Sequence, residues 1–157
     1  MNAFLAPILA AVLAALTLQA VQAADTVSAP PALQLAAARS QIAAKNWPAA
    51  LKELERVKDP RSADWNNLMG YTVRKGPAPD YAAAGRYYDA ALRIDPMHRG
   101  ALEYSGELFL IQGDLPRAEE RQARLAKICT VPCEELEDLQ AAIDRYKAAG
   151  NKYVPPP

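Results

Sequence analysis

The chain predicts an all-α fold built as a helical repeat array, and two observations carry that prediction. Trp47, Ala50 and Leu54 return as Tyr81, Ala84 and Tyr88 thirty-four residues on, and as Leu115, Ala118 and Gln122 after thirty-four more. Ahead of each block a small residue, Ala38, Gly70 or Gly106, sits on an apolar run compatible with a helix, and Asp59-Pro60 and Asp95-Pro96 follow two of the blocks. A period of this length, made of two helical stretches with small residues where they cross, marks stacked helix-turn-helix units. Such arrays bind other proteins far more often than they catalyse.

The first twenty-three residues, MNAFLAPILAAVLAALTLQAVQA, belong to a different problem. An apolar run from Phe4 to Leu18 ends in the small residues around Ala23, which reads as a secretory signal peptide cleaved after Ala23. The n-region lacks Lys and Arg, so an uncleaved membrane anchor stays open as the other reading. Cleavage leaves a short Ala/Pro/Ser-rich lead, 24–31, with too little apolar surface to fold by itself. The protein is then exported, periplasmic or secreted. Behind the signal no second apolar stretch is long enough to span a bilayer, so no membrane contact is expected after cleavage.

Helix signals follow in order. Pro48 and Pro116 fit the first turns of two helices without losing an intrahelical bond. Asp80 and Asp114 stand just ahead of theirs, where a carboxylate accepts from free backbone N–H groups and meets the positive end of the dipole. Within Asp80 to Leu92, the residues Tyr81, Ala84, Tyr88 and Ala91 fall at i, i+3, i+7 and i+10 and share one face. Lys75-Gly76-Pro77-Ala78-Pro79-Asp80 breaks the regular spacing as a turn two residues longer than its counterparts. It reads as a surface insertion, with a binding loop as the alternative. The repeats occupy about 32–60, 62–96 and 98–128.

WNNLMGY, DYAAAGRYYDAALRIDP and GELFLIQGDLPRAEE resemble tetratricopeptide repeats in three successive copies. Gly70, Tyr81, Ala84, Tyr88, Ala91 and Pro96 match that family's consensus types, while Trp65 lies one residue early. The third copy keeps Gly106, Phe109, Gly113, Asp114 and Ala118, and puts Gln122 and Leu125 where the family has an aromatic and an alanine. The first offers Ala38, Asn46-Trp47, Ala50 and Leu54. The resemblance implies a right-handed α-solenoid of about three repeats whose first helices line a concave groove. By place in the repeat, the groove-facing residues are Arg39 and Ile42, then Asn67, Tyr71, Arg74 and Lys75, then Glu103 and Glu107. Asn67, Tyr71, Arg74 and Lys75 lie near one helical face and would offer a polar handle, an aromatic surface and two cations to an extended peptide or a carboxylate. Equally, Glu103 and Glu107 can pair with those cations inside the groove.

Past the last repeat, Cys129 and Cys133 flank Thr130-Val131-Pro132. In an oxidising compartment they read as a structural disulfide that sets the angle of the next helix. A redox pair, or two thiolates holding Cu(I), is the other reading. Leu136, Leu139, Ile143 and Tyr146 then form one apolar stripe on a capping helix over 133–149, and Gly150 supplies its stop. The stripe covers the end of the array or, alternatively, docks on a second copy to make a homodimer. Residues 150–157 form a Pro-rich tail that cannot continue the helix.

Eighteen Lys and Arg balance eighteen Asp and Glu, which gives no reason to expect nucleic acid as a partner. An enzyme is not expected. One histidine, His98, read as a solvated loop residue, no Gly-rich phosphate loop, no metal-ligand cluster and no serine beside a base leave little catalytic machinery. No cofactor is implied. The function predicted is a non-enzymatic adaptor or scaffold of the cell envelope that binds a partner peptide or protein. The alternatives are a thiol-disulfide or copper-handling protein and a self-assembling structural module.

Overall fold

Four of the helix starts in this chain are set by side chains that accept from the free N–H groups of a first turn. In the computed structural model, which describes residues 31–155, eight helices and no strand are found among the described residues. They are α1 (Pro31–Gln34), α2 (Ala36–Ala43), α3 (Trp47–Val57), α4 (Ala63–Lys75), α5 (Tyr81–Ile94), α6 (Arg99–Ile111), α7 (Leu115–Ile128) and α8 (Glu134–Ala148). The signal segment 1–23 and residues 24–30 of the lead lie outside the described residues. No described helix is long and apolar enough to cross a membrane.

Asp80 Oδ1 accepts from the Ala83 N–H at 2.8 Å and Asp114 Oδ1 from the Arg117 N–H at 3.1 Å, so both acidic residues cap the helices they precede. Ser62 does the same for α4 through the Trp65 N–H at 3.2 Å. Each cap of this kind stabilises its helix by about 1 kcal/mol. Pro48 and Pro116 stand in the first turns of α3 and α7, where no intrahelical bond needs their missing N–H.

His98 departs from the solvated loop residue that the sequence suggested. Its side chain is 13 % exposed and caps α6, with Nδ1 accepting from the Ala101 N–H at 3.1 Å. That bond leaves the ring proton on Nε2, which donates to Asp64 Oδ1 at 2.9 Å. The histidine therefore links the first turns of two helices.

The helices stack as a repeat-like series. Every helix packs on its neighbour in the chain, and the even-numbered helices also touch in sequence, α2 with α4, α4 with α6 and α6 with α8. The helices α3, α5 and α7 each bridge two successive members of that row. Trp65 in α4 ties the series together near its start, donating from Nε1 to the Leu54 carbonyl of α3 at 2.8 Å and meeting the Tyr87 ring edge-on.

Small residues mark the close approaches. A Cβ placed on Gly70 would lie 2.6 Å from the ring of Tyr88 in α5, and one on Gly106 would lie 2.7 Å from Leu139 in α8. Tyr88 and Leu139 are fully buried, so neither can swing aside. Leu139, Ile143 and Tyr146 of α8 join Leu102, Leu110 and Leu125 in one core, with Leu136 half-buried at its edge. The stripe is thus buried within the chain, each large apolar side chain contributing about 1.5–3 kcal/mol. A dimer through it would require α8 to leave the core. The tail turns back at Gly150 and Asn151, both in the left-handed region, and Tyr153 packs half-buried against the same core.

These contacts separate two glycines of similar sequence context. Gly70→Ala gains helix propensity of about 1 kcal/mol but forces the Tyr88 ring to move, and a net loss of about 1–2 kcal/mol is expected in urea unfolding. Gly85→Ala places its methyl 3.7 Å from Leu108, an ordinary contact. It should stabilise by about 0.5–1 kcal/mol in the same assay.

Candidate functional site

The residues that the resemblance placed along a groove divide into two neighbouring groups. Arg39, Asn67 and Glu103 line an open trough of about 460 Å³ that crosses α2, α4, α6 and α8. Tyr71, Arg74 and Glu107 instead form a buried cluster on α4 and α6. Lys75, the last residue of α4, is half-buried and makes no ion pair among the described residues. Ile42 packs half-buried against the core around Leu35, Leu54 and Trp65.

Arg74 defines the buried cluster. Only 3 % of it is exposed, and its Nη2 lies 2.6 Å from Glu107 Oε2, a close ion pair rather than an aligned hydrogen bond. The guanidinium sits 5.6 Å from the ring centre of Tyr71 and 5.5 Å from that of Tyr104, within cation–π range of both. The two rings are themselves 4.5 Å apart, and Tyr104 continues to Tyr88 at 6.4 Å. Burial opposes the charge of Arg74, but Tyr88 and Glu107 outweigh it, so the guanidinium holds its proton more firmly than usual. Burial likewise pushes the Tyr88, Tyr104 and Tyr71 hydroxyls up, which keeps all three neutral donors. Arg74 therefore does not offer a cation to a bound carboxylate: its charge is satisfied inside the fold, and the groove-internal pairing with Glu107 is the arrangement found.

The trough has the opposite character. Six carboxylates, Asp64, Asp95, Glu103, Glu134, Glu135 and Asp138, line it against two arginines and His98. Arg39 Nη2 meets Asp64 Oδ2 at 3.0 Å, with both side chains about half exposed. Arg99 Nε lies 3.5 Å from Glu135 Oε1 at the rim. Glu103 has no such partner among the described residues although it is 7 % exposed. Burial, then the nearby charges of Glu107 and Asp138, push its carboxyl up to about 9 despite Arg74, so it is uncharged at neutral pH. Asn67, 6 % exposed, also lines the trough, and its Oδ1 is buried without a hydrogen bond. Gly100 makes room for it, since a Cβ there would stand 3.0 Å from Asn67 Nδ2.

The cysteine pair lies just ahead of the trough's α8 wall, Cys133 preceding Glu134 in the chain. Cys129 and Cys133 lie at disulfide distance, with sulfurs 1.99 Å and Cα atoms 5.9 Å apart, across the turn from α7 to α8. On a chain-entropy view so short a loop adds only about 2 kcal/mol. Among the described residues no group of His, Cys, Asp and Glu is arranged to hold a metal ion. Sequence reasoning named Asn67 and Glu103 but missed Asp64, Asp138 and His98. A signal was available: Asp64 and His98 stand thirty-four residues apart, the repeat period itself.

Two contrasts test this electrostatic picture. Glu107→Gln leaves Arg74 buried without its counter-charge and should cost about 3 kcal/mol in urea unfolding, whereas Arg39→Ala, at an exposed pair, should cost less than about 1 kcal/mol. For Glu103, the folded-state value is raised from 4.5 to about 9, so the native state holds a proton that the unfolded chain has released. Stability is then fullest below pH 4.5 and is lost as pH rises toward about 9. Glu103→Gln should match the wild type near pH 4.5 and exceed it at pH 8 by at least about 1 kcal/mol, the worth of one pKa unit, and a parallel pH profile of the two proteins would refute the assignment. Comparisons with family models, curated proteins and solved structures return no match for this chain, so its function is argued from this geometry.

Proposed function

We propose that the chain is an exported, non-enzymatic adaptor, a small solenoid of three tetratricopeptide-like repeats with α8 as its cap, which holds a partner protein against the row α2, α4, α6 and α8. The observation that carries this reading is the trough itself: it crosses all four helices of the row and is walled by polar groups, among them Glu103, mostly buried and without an ion pair among the described residues, and Asn67, whose Oδ1 lacks a hydrogen bond. Unmet buried acceptors cost stability unless something completes them. A partner's side chains would do so, and open polar surfaces of this extent suit recognition of polypeptide better than chemistry on a small substrate.

Export rests on the apolar segment 1–23, and the cysteine pair at disulfide distance fits an oxidising compartment. The thiol and copper readings lose ground because the two sulfurs lie at disulfide distance with Cys133 buried and Cys129 half-buried. Self-assembly through the α8 stripe loses ground because the stripe is buried in its own core.

A photoreactive phenylalanine analogue placed at Met97, on the rim of the trough and 65 % exposed, should cross-link one dominant protein in intact cells. The same analogue at Glu55, exposed on α3, which contributes no residue to the trough, should not. Equal cross-linking at both positions, or none at Met97, would remove the adaptor reading.

A further inference from the structure

Asn67, Glu103 and Asp138 are each the fifth residue of their helices, α4, α6 and α8. Successive even helices touch, so these positions form a ladder along the floor of the trough, grading from the two buried residues to the exposed Asp138. The other carboxylates have ordinary explanations. Asp64, Glu134 and Glu135 stand in first turns, where the helix dipole favours a negative charge, and Asp95 accepts from the Met97 N–H. The dipole fades beyond the first turn, so it does not account for Glu103 or Asp138. Nor does an ion pair, since neither has one among the described residues. The acceptors that the ladder offers to the trough are the carboxyl oxygens of Glu103 and Asp138, with the side chain of Asn67 beside them. Tyr104 adds an aromatic surface to the wall.

From this arrangement we infer that the trough binds a basic segment of the partner polypeptide, with a Lys or Arg side chain laid on the Asn67–Glu103–Asp138 ladder. A cation with several N–H donors completes each acceptor, and it meets a net negative wall. A segment suits the site better than a lone ion, because the trough spans four helices and carries further carboxylates at the rim. This inference rests on the adaptor reading and names the chemistry of its partner.

Binding has a proton signature. Charges facing Glu103 are Arg74 from α4, Glu107 from its own helix, and Glu135 and Asp138 from α8, with Asp64, Arg39 and His98 on the far side of the trough. An incoming cation lowers the cost of ionising Glu103, whose carboxyl gives up its proton to solvent as the ion pair forms. Affinity should therefore rise with pH between about 7 and 9, by up to tenfold per unit if one proton is released.

The test uses the purified protein and a capped, fluorescein-labelled hexalysine, with hexaglutamate as the like-charge control. Saturable binding of hexalysine at about 0.15 M salt is expected, with none of hexaglutamate. Glu103→Gln should weaken it at least about tenfold and flatten its pH dependence, although that variant is expected to be the more stable protein. Asn67→Ala should weaken it as well, and Glu55→Gln, exposed on α3, should not. Binding that ignores both trough variants, or that vanishes with salt for every protein alike, overturns the proposal. Spermidine competing as well as hexalysine would assign the trough to a free polyamine and overturn the polypeptide occupant. A partner cross-linked at Met97 with no hexalysine binding would leave the adaptor standing and sink the cationic assignment. Hexalysine binding with no cross-linked partner would do the reverse.

Discussion

A single buried charge organises the centre of this molecule. Arg74 is enclosed by Tyr71, Tyr88 and Tyr104 and answered by Glu107 from the next helix of the row. Removing a guanidinium from water is costly, and only a close counter-charge with aromatic faces around it offsets that cost. The arrangement fixes α4 and α6 relative to each other more narrowly than apolar packing would, because charge and rings tolerate little displacement. Everything on the trough side inherits that registration, including the spacing of Asn67 and Glu103.

The two polar groups also divide the labour of charge. Glu107 pairs with Arg74, while Glu103, one turn earlier on the same helix, is kept neutral by burial and by the carboxylates around it. The first completes the fold. The second faces the trough without an ion-pair partner among the described residues.

Much of the architecture was legible in the sequence, since helix starts and close approaches are local or periodic. Asp80, Asp114, Pro48 and Pro116 announce their helices by residue type alone, and Gly70 and Gly106 mark where a neighbour must come near. The candidate site was legible only as a set of residues. The resemblance placed Tyr71, Arg74, Glu103 and Glu107 along a common groove but carried no depth, so it could not separate a pair enclosed by rings from a carboxyl at the trough wall. His98 was missed for a different reason. A lone histidine after Asp-Pro looks like turn, and its role appears only when the turn is laid one repeat away from Asp64.

The position of α8 bears on how such a chain can change over time. This helix covers the end of the core through Leu139, Ile143 and Tyr146, and it also contributes Glu135 and Asp138 to the trough. Stacked helices ordinarily lengthen by duplication of a unit, with the terminal helix simply carried outward. Here an extra unit inserted before Cys129 would carry α8 away and leave the trough without its acidic wall. Enclosing the trough between α6 and α8 therefore ties its acidic wall to the place of the last helix, so that helices added ahead of α8 would cost the trough that wall.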